Sequence, residues 1–600
     1  MRFAKKCFTP LELTHFKDVF RTLADDQDGI YYWKEETLCR FLVIPDALGP
    51  GPVMYQMSTY LGAFPFFSLA PSILTIEAML KVVVIMTERY GRILKRGKAD
   101  RNKLLFRSLA VFDRRMSSTH EKPSSEALAD LREKSAVVDE PSDKGSSRSH
   151  TAGFSIDEPA NEDEEDEDDD ELALAALDSL DAIEVFKYDQ RADTKIHHAQ
   201  IPAENFQKLI MLLLVIASLD VQENLSSHAQ QLTEARVEGL RQVADSILLS
   251  FSPEQNGGIF YHSFNTIVPM SLPYMFDGLN PLFEHFLFSK NIDLSRRGIS
   301  PSSPPLSSPT IPQAPDIQLE PVLPREGEIL NLNILSQLSF FLKGDSVFRR
   351  LRPLYSGGDA GFSIGSFEQK VLNWRAPSIL LVAGNRLSQT PQGARERGFA
   401  EALPSKRFPD GSSGNSTSGR VVFGAYLDVP WKQTHKEAIG GAEMLIFQLE
   451  PIHEVFRAST INTGYFTFTR SGISFGSPPA PSKPVSGLSS RVSLGPVSLM
   501  LDESLEFGVF THDSTGGGSF LPSKARKHDW QDRFEIESLE VWGCGGEEEA
   551  KKQKAAWAFE EREAEARKHL KLGKDIEADR ALLEMAGLVG NHNASGGSMA

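Results

Sequence analysis

The sequence predicts an α+β chain: a helical first half, a mainly β second half with flanking helices, and a C-terminal helix. Three observations predict this. Apolar residues recur at helical spacing to about residue 290, and a Ser/Pro-rich stretch then excludes helix and central strand. Beyond it, short apolar runs are separated by Gly, Pro, Asn and Ser, the punctuation of a sheet.

The first helix announces itself with Thr9 as N-cap, Pro10 at the first helical position and Glu12 three residues after the cap, a capping box. Leu13, Phe16, Val19, Phe20 and Leu23 come next at helical spacing, and Leu38, Phe41 and Leu42 resume it until Pro45. Between them, Ala24 to Glu35 has the outline of an EF-hand calcium loop, with Gly29 at its sixth place and Glu35 at its twelfth. Asp26 and Asp28 fall at ligand positions three and five, but Ala24 stands where the first aspartate belongs. Asp25 is one place along, and a slip of one residue would misplace every other ligand. The expectation is a degenerate, EF-hand-like helical pair with no working metal site. A second glycine-centred loop, Ser252 to Ser263, has serines at positions one and twelve and is less suited still.

Composition bounds the rest. With 40% hydrophobic and 24% charged residues over 600 positions, two or more folded units with disordered parts are expected. Asp157, Glu158 and the unbroken run Glu162 to Glu171 carry twelve negative charges, and without them the formal net charge of -17 becomes -5. Near-neutral folded parts argue against direct nucleic-acid binding. Cys7, Cys39 and Cys544 lack zinc-site spacing and cannot form a disulfide framework, which fits a reducing compartment. The start, Met-Arg-Phe-Ala-Lys-Lys-Cys, has no apolar signal region, and Leu209 to Leu219 is too short to span a bilayer, so no transmembrane segment is expected. Arg2 occupies the place where myristoylation requires glycine; Cys7 beside Lys5 and Lys6 is read as an ordinary surface thiol rather than a palmitoylation site.

Residues 1–294 read as one helical domain, interrupted at about 117–171 by a polar insert too poor in apolar residues to offset chain ordering, hence disordered. Helical pattern resumes at Leu172, and Asn205 to Leu219 is apolar nearly all round, as in a buried helix. A linker is placed at 295–327. Ser378 to Ala383, Val421 to Val429, Ala442 to Leu449, Tyr465 to Thr469 and Val497 to Leu501 read as strands. In Arg533 to Gly543, Phe534 and Ile536 share one parity while Leu539 and Val541 share the other, which requires a bulge near Ser538. Segment 547–600 begins with a long, largely exposed helix whose thin apolar stripe includes Trp557, Phe559, Leu570, Ile576 and Leu582. Trp557, Phe559, Ile576 and Leu582 are the partner-binding candidates, on the ground that such a stripe suits a groove on another protein.

Motifs that suggest catalysis fail in context. Gly472-Ile-Ser474-Phe-Gly476 matches the nucleophile-elbow pattern, but the prolines just beyond it forbid the helix an elbow needs. His453-Glu454 opens like a zinc-protease motif, yet Arg457 replaces the second histidine. His512, Asp513 and Ser514 are consecutive, whereas triad members converge from separate segments, and Gly516 to Gly518 lacks the ending of a phosphate loop. No catalytic residue, metal site or cofactor is assigned, and a binding or regulatory protein is the stronger expectation.

Three blocks of the second half, Arg352 to Gly384, Val421 to Trp431 with GGAEMLIFQL, and Arg533 to Gly546, resemble the TLDc-domain family in order and spacing. The resemblance covers 328–546, and with the helical first half and the tail Lys574 to Leu588 the whole chain is similar to fungal members. It implies a TLDc β-sandwich with flanking helices, no catalytic residues, and links to telomere capping, oxidative-stress resistance and the vacuolar proton-pumping ATPase. It also implies a cytoplasmic protein with peripheral attachment at the vacuole. Insertions are expected at Gln389 to Gly419 and Ser477 to Ser490. The leading expectation is a non-enzymatic regulator or adaptor; a calcium-responsive adaptor, a serine-dependent enzyme acting through Ser474 and a nuclear, telomere-associated protein are the alternatives.

Overall fold

The structure, a computed structural model, describes residues 6–92, 98–112, 196, 199–220, 232–252, 257–284, 287, 321–388, 391, 393–404, 419–434, 438–478 and 492–569. The expected disordered insert at 117–171, most of the 295–327 linker, most of Ser477 to Ser490, and Ile576 and Leu582 lie outside the described residues.

The capping box forms as the sequence requires. Thr9 Oγ1 accepts from the Glu12 N–H at 3.4 Å and the Glu12 carboxylate accepts from the Thr9 N–H at 2.8 Å, opening the helix Pro10–Leu23. The segment after this helix differs from a ligand loop. Strands β1 (Asp25–Gln27) and β2 (Ile30–Trp33) form a hairpin whose two turn residues, Asp28 and Gly29, have φ of 54° and 82°. That conformation suits a tight primed turn, and Gly29 supplies the positive φ it requires. The next helix, Glu35–Phe41, begins directly after it.

A helix–loop–strand–helix order then repeats. Helix Gly51–Gly62 leads through β3 (Leu74–Thr75) into helix Ile76–Met86, and β2 pairs with β3. Helix Lys98–Leu109 leads to β4 (Val111–Phe112); β5 (Ala199–Pro202) precedes helix Ala203–Ile216; and helix Glu234–Ser250 leads through β6 (Gly258–Phe260) into helix Tyr261–Ser271. Strand β5 pairs with both β4 and β6. The pairing of Phe112 with Ala199 brings the chain back, after the acidic insert, to the place it left. The helix at 203–216 is buried on nearly every side from Leu209 to Ile216, as its all-round apolar pattern requires.

The second half holds the strands β7 (Arg352–Ser356), β8 (Ser378–Arg386), β9 (Arg420–Leu427), β10 (Leu445–Glu450) and β11 (Glu454–Arg457). It continues with β12 (Phe466–Thr469), β13 (Gly472–Phe475), β14 (Val497–Leu501), β15 (Phe507–His512) and β16 (Trp530–Gly543). They form one antiparallel sheet in the order β11-β10-β9-β8-β16-β15-β14-β13-β12, with β7 on β16 as well. The sheet folds over on itself as a sandwich: Phe423 of β9 stacks on Phe510 of β15 at 4.7 Å, and Trp431 meets Phe466 edge-on at 5.0 Å. The register of β16 against β8 shifts between Ile536 and Ser538, and this bulge turns Phe534, Ile536, Leu539 and Val541 into one core.

Strands β8 to β10 are covered on their other face too. Ile379, Leu381, Val422 and Phe447 belong to a core that continues through the helices Glu234–Ser250 and Leu332–Ser339 to Phe16 and Trp33. Burial on both faces is why SILLVA and VVFGAYL read as continuous apolar runs rather than alternating ones. Gly424 lies opposite Phe447 in the ladder, where a Cβ would run into the ring. Within the expected insertion at Gln389 to Gly419 the structure places a helix, Ala394–Ala402, whose Phe399 stacks on Phe507 at 5.2 Å. Among the described residues no helix is long and apolar enough to cross a membrane.

Candidate functional site

The opening acidic loop does not converge on a point. Asp26 Oδ1 accepts from the Gly29 N–H at 3.1 Å, closing the hairpin turn, while Asp25 lies 3.9 Å from Lys34 Nζ and Glu35 opens the next helix. Among the described residues there is no group of three His, Cys, Asp or Glu able to hold a metal ion.

The catalytic look-alikes are placed by the sheet. Ser474 is an interior residue of β13 with Thr467 and Met500 across the ladder, neither of which can take a proton from it, and its hydroxyl is buried without a hydrogen-bond partner. His453 is fully buried where the two halves meet. Its Nδ1 lies 3.2 Å from Gln337 Nε2 and its Nε2 lies 3.2 Å from the Ser271 carbonyl, and burial pulls its pKa down to about 4. As the carbonyl can only accept, the proton sits on Nε2 and Nδ1 accepts from Gln337.

Glu454, its neighbour in sequence, joins a different constellation. Its carboxylate takes Arg526 Nε at 2.6 Å and the Ser523 hydroxyl, while Arg526 also donates to Gln448 Oε1 at 2.7 Å and lies over the Trp530 ring, 4.2 Å from its centroid. Burial pushes the Glu454 carboxyl up, and the Arg526 guanidinium works in the opposite direction. His512 completes the network: Nε2 accepts from the Ser523 N–H at 2.9 Å, Nδ1 donates to the His528 carbonyl at 3.1 Å, and burial with Arg526 nearby brings its pKa to about 4. Ion pair, stacked cation and oriented imidazole together clamp the 521–529 segment to the sheet. Sequence reasoning missed this because its members are up to 82 residues apart, from Gln448 to Trp530, and are adjacent only once the sheet folds over.

A second clamp centres on Glu540. Its carboxylate accepts the backbone N–H groups of Glu328, Ile329 at 3.0 Å and Leu330 at 3.2 Å, together with the Trp542 indole N–H at 2.9 Å. Gly327 belongs to this cradle because a Cβ there would collide with the carboxylate.

Of the partner-binding candidates, Trp557 and Phe559 lie on the helix Glu547–His569, which leaves the sandwich three residues after β16. Three glutamates in its first turn complement the helix dipole. Phe559 is 58% exposed, an aromatic ring presented to solvent on a mainly polar helix. These residues build two clamped segments and a largely exposed helix.

A sequence profile of the TLDc domain matches residues 323–545, the span of the folded-over sheet and its leading segment. Relatives called restriction of telomere capping protein 5 match over the full chain. The one from Leptosphaeria maculans is 52% identical and that from Colletotrichum graminicola 51%, each over 100% of this chain and 96% of the relative. The relative from Neurospora crassa is 46% identical over the same shares. Identity at this level along the whole length, with the TLDc sandwich where the profile finds it, means that the chain belongs to the restriction of telomere capping protein 5 family of TLDc-domain proteins.

Proposed function

We propose that this protein is a non-enzymatic regulator that works by binding other proteins, with the vacuolar proton-pumping ATPase as its main partner. The observation that carries the reading is the helix Glu547–His569, mainly polar and bearing an exposed Phe559, set directly after the last strand of the sandwich. A helix built this way gains little by packing on its own domain and much by entering a partner's groove. Effects on oxidative-stress resistance and on telomere capping then arise indirectly from a cytoplasmic protein attached peripherally at the vacuole. The test is affinity purification of the tagged chain from its native cytosol and membranes. Proton-ATPase subunits should co-purify, and deletion from Glu547 onward should remove them; unchanged recovery after the deletion would end the role given to the helix.

A second reading draws on the four helix–loop–strand–helix units joined in pairs through β2–β3 and β5–β6, the arrangement expected of paired EF-hand-like units. It makes the first half EF-hand-like in ancestry and the protein a calcium-responsive adaptor. The hairpin at Asp28-Gly29 occupies the place of the first ligand loop, so the favoured form is metal-independent. Calorimetry with calcium at about millimolar concentration, the weak end of the affinity range, separates the two.

A further inference from the structure

We propose that a basic groove between the helical half and the TLDc sandwich binds an acidic, partly apolar peptide segment of a protein partner. This rests on the reading of the protein as a binder and names the chemistry of one contact. The groove has a volume of about 1490 Å³, and its lining includes seven Lys and Arg against four Asp and Glu. Set against the -5 that remains for the chain once its acidic stretch is removed, that local excess of cations is a modest reversal of sign.

The cations come from three separate elements. Arg325 belongs to the extended segment before the Glu540 cradle, Lys343 and Arg350 to the connection leading into β7, and Lys551 and Lys554 to one face of the helix Glu547–His569. Lys343, Arg350, Lys551 and Lys554 are all exposed; Arg325 makes an exposed pair with Asp359 at 3.3 Å, worth little in water. Phe348 and Pro353 supply apolar surface between them. The carboxylates are distributed: Asp220 and Asp277 stand on the helical wall, Asp345 and Glu547 beside the cations.

This pattern discriminates between polyanions. A nucleic acid presents evenly spaced phosphates and would meet the carboxylates of the helical wall, whereas a peptide can set acidic residues against the cations and apolar ones against Phe348 and Pro353. The helix Glu547–His569 forms part of the groove, so a partner that captures the helix and one that fills the groove would act on the same element.

The test measures fluorescence anisotropy of a labelled peptide of repeated Asp-Glu-Leu-Ser units on the full chain. Binding is expected, weakened by added salt, lost when Ser replaces the acidic positions, and reduced by about tenfold or more in the double variant Arg350→Glu and Lys551→Glu. Should that variant fail to fold by circular dichroism, Lys343→Ala with Lys554→Ala is read instead, with a smaller loss expected. Absence of binding, binding indifferent to these substitutions, or equal binding of a single-stranded oligonucleotide overturns the proposal. Binding that emerges only on a chain lacking 162–171 also overturns it, since the chain's own acidic run would then be the occupant. If peptide binding fails while proton-ATPase subunits still co-purify, the groove assignment falls and the broader function stands.

Discussion

Removal of the Glu540 carboxylate would leave three backbone N–H groups and the Trp542 indole N–H without their acceptor in a buried place. Glu540→Ala should therefore lower stability by about 3 kcal/mol in urea unfolding, and Glu540→Gln by less because one acceptor oxygen remains. At His453 and His512 the argument concerns protons. Both imidazoles are held near pKa 4, below the ordinary 6.5, so the unfolded chain binds more protons than the folded one between those values. Stability should be insensitive to these groups above about pH 6.5 and fall as pH drops toward 4, by at most about 1.4 kcal/mol per pH unit for each histidine. Glu454 has the opposite sign in its own window, so the informative comparison is with His453→Gln plus His512→Gln. Urea midpoints at pH 7.5 and about 5 should converge in the double variant relative to the parent; an undiminished gap would assign the acid sensitivity elsewhere. Neither histidine role was legible locally, because burial and partners are supplied by residues far along the chain.

Elements with a complete local signal formed where the sequence put them. The capping box at Thr9, the all-round apolar helix near Asn205 and the bulge required by Phe534, Ile536, Leu539 and Val541 each depend on neighbours within a few residues. Where a segment had two local solutions, the surroundings chose. Ala24 to Glu35 has the outline of a metal loop, yet its backbone groups are met by the β1–β2 hairpin pairing and, beyond it, by β3. The segment Gln389 to Gly419 reads as a loop insertion in the β domain; the helix Ala394–Ala402 within it owes its hold on the sandwich to Phe399 against Phe507. Phe399→Ala should cost about 2 kcal/mol or more, and limited proteolysis near 389–419 should accelerate. No change in either measure would mean that the helix is held by something other than this stack.

The largest departure from a reading by separate units is the continuous core. Composition places a Ser/Pro boundary between a helical half and a β half, yet Phe341 packs on Phe447 at 4.9 Å and the same apolar cluster reaches Phe16 on one side and Trp542 on the other. Arg457 donates to the Met270 carbonyl at 3.1 Å, tying β11 to the helix Tyr261–Ser271. Phe447→Ala should destabilise by about 3 kcal/mol or more, and hydrogen exchange should show both halves losing protection together. Loss confined to the sandwich would mean that the halves unfold independently.

By itself the sequence determined the α+β class and the family, since capping residues, apolar periodicity and ordered motif blocks act through near neighbours or through order along the chain. Only the tertiary structure decided that the two halves share a core, that Glu454 meets Arg526 over Trp530, that Glu540 gathers three backbone N–H groups, and that cations from three elements line one groove. Those depend on how a sheet of ten strands folds over on itself and which face it lends to the helices. That choice is made by contacts between residues hundreds of positions apart, for which a linear pattern carries no signal.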